Sequence, residues 1–353
     1  MIGTRKVFIY ILSFPFIISL LSACHNHDTP IIQNNNWQVI YQNDALHLYS
    51  IKFLDKNHGF VMADSAAVHG LKDWKFVLST EDGGITWNQI TCTTTDTVPQ
   101  FPLYELGYIH PISGNVLLAT GYQVHKSIDR GNTWINVSPQ LIGSIIEDLY
   151  VKDSITWIVA KGTEIYRTNN AGQIWESVFR TDFMGALQSF SFPTPDTGYI
   201  TDSFFDIDNN QSAALLLKTI DGGQSWEVLK PEPWNSHQTN FPGIYSMQFV
   251  TDQIGFIVTE NSGLWKTTNG GNSWSVINST PSISSYMYFI NDVKGYGSNG
   301  MTIYATKDGG KTWEIDNPNF THDSDINNWT FLKSGLGIAV TRDHKIISTI
   351  NLP

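Results

Sequence analysis

One short pattern recurs six times along this chain and fixes what it can fold into before any single residue is interpreted. The copies read Thr80-x-Asp82-x-Gly84-x-Thr86-Trp87, Ser127-x-Asp129-x-Gly131-x-Thr133-Trp134, Thr168-x-Asn170-x-Gly172-x-Ile174-Trp175, Thr219-x-Asp221-x-Gly223-x-Ser225-Trp226, Thr267-x-Asn269-x-Gly271-x-Ser273-Trp274 and Thr306-x-Asp308-x-Gly310-x-Thr312-Trp313. A unit repeated at a near-constant period cannot bury its own apolar face and must stack on its neighbours.

A seventh copy is split between the two ends. Ser348-Thr349-Ile350-Asn351 aligns with Lys218-Thr219-Ile220-Asp221 and stops before the Gly and the Trp, while Asn36-Trp37-Gln38-Val39-Ile40 matches Ser225-Trp226-Glu227-Val228-Leu229. This division predicts a seven-bladed, all-β propeller of four-stranded antiparallel blades, with the N-terminal strand completing the last blade. Closure of that kind removes the open sheet edges of a linear array. A ring without edges is expected to be a monomer.

A second signal gives the same number of blades. An aromatic followed six residues later by Gly, or a substitute, occurs as Phe53/Gly59, Tyr108/Gly114, Tyr150/Thr156, Phe192/Gly198, Phe249/Gly255, Phe289/Gly295 and Phe331/Gly337. Apolar residues two positions earlier (Ile51, Leu106, Phe190, Met247, Met287, Trp329) give the period-two alternation of a packed inner strand, with Asp148 the exception. Each unit reads as strand A, a tight turn, strand B, a variable loop, strand C, the Asp-containing turn, and strand D opening at the Trp. In that turn Asp82, Asp129, Asn170, Asp221, Asn269, Asp308 and Asn351 are expected to bond backbone N–H groups, and the Gly to take a positive φ. They are read as folding devices, since a catalytic acid would not be repeated around a ring.

The first residues read as a leader. Arg5 and Lys6 precede the apolar run Val7–Leu20, which ends in Leu21-Ser22-Ala23-Cys24. That form predicts a signal peptide over 1–23 and resembles a bacterial lipobox, which implies a lipidated Cys24, a polar tether over 24–35, the ring over 36–353, and a place anchored in the bacterial cell envelope. Cys92 is then the single remaining cysteine, so the core must supply stability without a disulfide. Without Arg5 and Lys6 the balance is 19 basic to 32 acidic residues, about −13. Such an acidic chain argues against nucleic acid or anionic lipid as partners.

The motif resembles the Asp-box, or BNR repeat, of sialidases, xyloglucan-cleaving glycosidases, sortilin-type receptors and the seven-bladed photosystem II assembly and stability factors. The last group matches best, through the seven units and the split final blade, over residues 36–351. The resemblance implies a non-catalytic scaffold with no cofactor, holding partner proteins in part through an arginine-rich patch. This chain has five arginines: Arg5 in the leader, Arg130 inside a motif turn, Arg167 just before one, and Arg180 and Arg342. Two arginines make neither that patch nor the three-arginine clamp that the sialidase resemblance implies around a carboxylate. A glycosidase acting on a neutral glycan stays open as the alternative, with carboxylates among Asp64, Asp202, Asp206 and Glu260.

The strand order puts the A–B and Asp turns on one face and the B–C and D–A connections on the other. The latter vary in length, with 64–75, 202–213, 231–245 and 317–328 the long ones, and variable loops on a rigid ring are where function sits. Asp64, Lys161, Asp202, Glu260, Asn299 and Arg342 end the B strands, near the expected channel mouth. Trp74, Phe204, Phe205 and Trp234 add rings suited to a sugar or a protein partner. Asp206-x-Asp208-x-Asn210 has the opening spacing of a calcium loop but lacks the following Gly and the distal Glu, so a solvated hairpin tip is expected.

Overall fold

In the computed structural model the described residues are 37–65, 75–94, 106–181, 185–206, 211–229, 241–259, 263–278, 283, 286–300, 302–316, 325–332 and 334–349; for 203–206, 211–213 and 241–242 the backbone alone is described. The expected leader, tether and Cys24 lie outside them, as do Trp74, Asp208, Asn210, Trp234, Glu260 and Asn351.

Seven separate sheets follow one another along the chain, their blade strands antiparallel and Thr93–Thr94 added in parallel to Thr133–Asn136, and the closing strand is where the split motif puts it. Trp37–Gln42 pairs with Lys345–Thr349, in the register Trp37↔Thr349 to Gln42↔Lys345, as the outer strand of the blade whose inner strand is Ile326–Phe331. Trp37 is buried and meets Tyr296 and Phe331 edge-on at 6.0 and 6.1 Å. The ends of the ring are thus held together by an aromatic cluster as well as by a ladder.

The six intact motif turns share one hydrogen-bond pattern. In blade one the Thr80 hydroxyl donates to Asp82 Oδ1 (2.8 Å) and accepts from Gly84 N–H (2.8 Å). Asp82 then accepts the Thr86 N–H at Oδ1 (2.9 Å) and the Thr86 hydroxyl at Oδ2 (2.6 Å). The hydroxyl and N–H of Thr86 and the Thr80 hydroxyl hold the Asp82 carboxyl down to about 2. Asp308 is likewise at about 2 through Thr312 and Thr306, and Asp221 at about 2, where Ser225 overcomes the opposing effect of burial. In blade three the residue at the hydroxyl position is Ile174, so Oδ2 would find no donor there, and the turn uses Asn170.

Each turn also clips onto its own A–B turn: Gly83, Arg130, Ala171, Gly222, Gly270 and Gly309 donate backbone N–H groups to carbonyls of Asn57, Asn115, Ile155, Asp196, Gln253 and Val293. These donors all have positive φ, which Arg130 (65°) and Ala171 (58°) adopt without the freedom of glycine.

The aromatic/Gly signal is steric. A Cβ on Gly59, Gly198, Gly255, Gly295 or Gly337 would lie within 2.3–2.7 Å of the ring of Phe53, Phe192, Phe249, Phe289 or Phe331. Two units differ from the register read in the sequence. In blade two the facing pair is Pro111↔Leu117 and in blade three Val151↔Trp157, so Tyr108 opens its inner strand and Gly114 lies in the turn. There the volumes are exchanged: a smaller residue ends strand A and a larger one opens strand B, filling the same space.

Neighbouring blades are stitched at their inner strands, which run over Leu46–Phe53, Tyr108–Pro111, Ile146–Val151, Gly185–Ser191, Ile244–Phe249, Tyr286–Phe289 and Ile326–Phe331. Ser50 Oγ accepts from Ile109 N–H, Asp148 Oδ2 from Phe190 N–H, Ser191 Oγ from Phe249 N–H, Gln248 Oε1 from Phe289 N–H and Asn328 Oδ1 from Ile51 N–H, at 2.5–3.3 Å. Asp148, the exception to apolar alternation, is therefore a link between blades three and four.

Candidate functional site

The chain direction in every blade confirms two unlike faces. Strands A and C end, and strands B and D begin, on the Asp-turn face; the B–C and D–A connections emerge opposite.

Most of the described polar residues that end the B strands are taken up by neighbours of their own. Asp64 is half-buried, 3.2 Å from Lys75 Nζ and 3.3 Å from His47 Nδ1, and Lys75 stands over the Tyr49 ring at 4.4 Å. Lys161 is buried and donates to the Tyr122 carbonyl (2.7 Å) and to that of Ser144, lacing the loops of blades two and three together. Burial lowers the Lys161 ammonium despite Glu147 nearby. Asn299 Oδ1 caps its own B–C turn by accepting Thr302 N–H at 2.9 Å. Arg342 is exposed and pairs with Asp325 at 3.7 Å; Arg180 is exposed and 3.9 Å from Glu164.

Asp202 departs furthest from its expected place at an open mouth. It is 0% exposed, sealed against the Leu187 and Leu215 positions that flank it, and burial raises its carboxyl against the lowering effect of the Thr181 hydroxyl. Both its oxygens are without a hydrogen bond among the described residues at normal bonding distance.

The segment expected as a long loop after Asp202 is a strand extension. Gly198–Asp206 and Gln211–Thr219 pair continuously to Asp206↔Gln211, leaving only 207–210 for the tip, and Phe241–Pro242 adds a strand against Ala213 and Ala214. The backbones of Phe204, Phe205 and Asp206 thus belong to a projecting hairpin on the variable-loop face. Among the described residues no group of three or more His, Cys, Asp or Glu could hold a metal ion.

What the inner strands bring to this face is a set of tyrosines. Tyr49, Tyr108, Tyr245 and Tyr286 lie at or near the starts of the inner strands of blades one, two, five and six. Tyr108 and Tyr245 are 49% and 48% exposed. The Tyr49 hydroxyl donates to Leu106 O (3.1 Å) and that of Tyr286 to Asn327 O (2.5 Å), so two rings are fixed while two are presented. Tyr108 and Tyr286, from nonadjacent blades, are close enough for Tyr108 to help raise the Tyr286 hydroxyl, after burial. Ile142 and Ile145, both exposed, lie on the same face in the connection between blades two and three. Sequence reasoning missed these tyrosines because Tyr108 matched the buried aromatic of the repeat. A tyrosine opening strand A, where one end is wet, was the available signal.

Deeper along the axis Lys52 lies near His110 and Asp148. Burial, then Lys52, lowers His110 to about 3, so it is neutral. Burial raises Asp148 against the N–H groups of Phe190 and Leu149 and against Lys52.

The family model described as "Photosynthesis system II assembly factor YCF48" matches residues 29–205 and 208–316. A photosystem II assembly lipoprotein Ycf48 from Synechococcus sp. (strain CC9902) is 23% identical over 310 residues, covering 84% of this chain and 83% of that protein. Among solved structures, YCF48 bound to D1 peptide superposes with a TM-score of 0.65 at 16% identity, covering 92% of this chain and 99% of that one. The GH74 xyloglucanase from Xanthomonas campestris gives 0.56 at 12% identity, covering 86% and 59%. These structural likenesses speak for the fold.

Proposed function

The chain belongs to the photosystem II assembly factor YCF48 family, and from that premise we propose that it is a non-catalytic scaffold that engages a polypeptide partner through its variable-loop face. The observation that carries this reading is the pair of presented tyrosines, Tyr108 and Tyr245, at the channel mouth, beside Tyr49 and Tyr286 held by backbone carbonyls. Rigid aromatic anchors in a ring of fixed backbone are what protein hot spots are made of. The D1 peptide held by the related structure supports a polypeptide, rather than a glycan, as the class of partner. Trp74, Trp234 and Glu260 lie in connections that join strands on this face and belong to the same proposed surface, as do Phe204 and Phe205.

The glycosidase alternative is weaker. Of its four carboxylates, Asp202 is sealed in the blade and Asp64 is held by Lys75 and His47, and neither is presented to a sugar. The lipobox at Leu21–Cys24 and the lipoprotein names of the relatives support a lipid-anchored place in the cell envelope. Cys24→Ser should release the folded protein from the membrane fraction, and its retention after leader cleavage would end that part of the proposal.

A photo-cross-linking residue in place of Tyr245 tests the binding face. It should capture a protein in cells, and Tyr108→Ala should weaken that capture at unchanged melting temperature. Undiminished capture in the Tyr108→Ala chain would refute the assignment.

A further inference from the structure

The Asp-turn face is not a uniform ring of identical turns. Ile85, Ile128 and Ile220 occupy variable positions of the motif turns in blades one, two and four, at 72, 69 and 71% exposed, Ile174 replaces the second hydroxyl residue of the blade-three turn at 60%, and Ile155 adds an exposed side chain from the A–B turn of blade three. In blades five and six the corresponding positions are Thr268, Asn272 and Ser273, and Lys307, Lys311 and Thr312. Exposed isoleucines thus stand in the turns of blades one to four, while the described turns of blades five and six present polar side chains and Val293, at 43% exposed.

None of the four side chains takes part in the turn hydrogen bonds; at Ile174 only the backbone N–H does, donating to Asn170 Oδ1. The fold therefore does not require isoleucine there. Isoleucine in four successive turns, each among the most exposed apolar side chains of the described residues, marks a contact surface.

The course of the chain says what covers it. Trp37 opens the closing strand opposite Thr349, and Thr349 Oγ1 accepts the N–H of Gly337, the residue that follows the A–B turn of the same blade. Residue 37 therefore enters the ring on the Asp-turn face. From Cys24 the intervening residues 25–36 reach at most roughly 40 Å when fully extended. An anchor at Cys24 would therefore hold the ring within that reach of the bilayer, on a tether that joins it at the Asp-turn face.

We propose that the isoleucine arc of blades one to four rests on the lipid surface, seating the ring with its Asp turns toward the membrane and its variable-loop face toward the aqueous partner. The occupant is the lipid interface, entered by apolar side chains at turn tips. The aspartates of these turns are held in place by their own hydroxyl and N–H donors, so their charges stay within the turns beside the isoleucines. The acidic balance of the chain favours a contact through apolar tips over one through anionic headgroups.

This inference rests on the anchored reading, and the test separates the two. The full mature chain is coupled through the Cys24 thiol to a maleimide-headgroup lipid in phosphatidylcholine vesicles, which supplies the tether whether or not cells lipidate that residue. Cys92 is buried with its thiol pushed up to about 12 and does not compete for the reagent. Hydroxyl-radical footprinting then compares coupled and free protein. Oxidation of Ile85, Ile128, Ile174 and Ile220 should fall several-fold on coupling, while Ile142 on the opposite face, 86% exposed, keeps its solution rate. Equal rates at all five positions, or protection of Ile142 alone, would overturn the proposal. A chain with all four arc residues changed to Ser should lose the protection of Ile155, which the intact arc confers; unchanged protection there would show that the tether alone orients the ring.

Discussion

Trp37→Ala is the sharpest test of how the ring is closed, because it removes one side chain and leaves the backbone ladder of the closing strand in place. The indole is 1% exposed and packs among Ile303, Ile326, Trp329, Phe331, Ala339 and Ile347, which come from blades six and seven. Truncating a fully buried Trp costs about 3–5 kcal/mol, the upper end applying where the surroundings are too rigid to collapse. Here the cavity is walled by Phe331 and Tyr296, which meet the indole edge-on and are themselves stacked at 5.1 Å, so little relaxation is available. The loss should appear as a fall in melting temperature of roughly 5–8 °C for a ring of this size. Val39→Ala, two residues along the same strand at a 50% exposed position, serves as the control and should cost no more than about 0.5 kcal/mol. Circular dichroism melts of both variants read the difference. A Trp37→Ala melt within about 2 °C of the parent, or no worse than Val39→Ala, would show that the strand only lies against the ring and does not lock it.

Gly337→Ala places a Cβ 2.5 Å from the Phe331 ring and 2.8 Å from that of Trp37, and should cost about 1–3 kcal/mol in urea denaturation, whereas Gly114→Ala, with nothing within 4 Å, should cost little. Asp82, Asp221 and Asp308 have folded pKa values near 2 against 3.8 unfolded, so their contribution is complete above about pH 4 and is lost as pH falls toward 2. The urea midpoint should drop over that window, and changing all three to Asn should flatten the drop. Asp202 has the opposite sign: its folded carboxyl is raised above 3.8, so it stabilises least once the pH exceeds that raised value. Asp202→Asn should therefore leave the melting temperature at pH 7 unchanged or higher, and a marked loss would mean that the ionised carboxylate has a partner.

The architecture was readable because its determinants are local and repeated. Each turn needs a hydroxyl, an Asx oxygen and a glycine at fixed offsets, and the chain shows them six times over. The split copy fixed the closure, since Trp37 without its turn had to complete a turn that lacked its Trp. What was misread followed from the same reliance on period. Tyr108/Gly114 met the aromatic/Gly template, but Pro111 and Leu117 had exchanged volumes, and only packing across the blade distinguishes the two solutions. Asp202 was taken for a strand-end residue because its strand was expected to stop there; it continues to Asp206, and burial follows from the added pairing.

A repeat that specifies a fold must keep some positions constant and leaves the others free, and function can be written only in the free ones. The hydroxyl, Asx and Gly positions are occupied by turn chemistry, so Asp221 and Asp308 distinguish no partner from another. The freedom lies in the residues between them, where Ile85, Ile128 and Ile220 stand in three blades and lysines in another, at the one hydroxyl position that blade three gives to Ile174, and in the first residues of strand A, where Tyr108 and Tyr245 present their side chains. A search for the motif gives neither set a role, since it scores Ile174 as a lapse and Tyr108 as the buried aromatic of the repeat. Both become visible once the ring separates the residues that bond its turns from those that face outward, one set on each face.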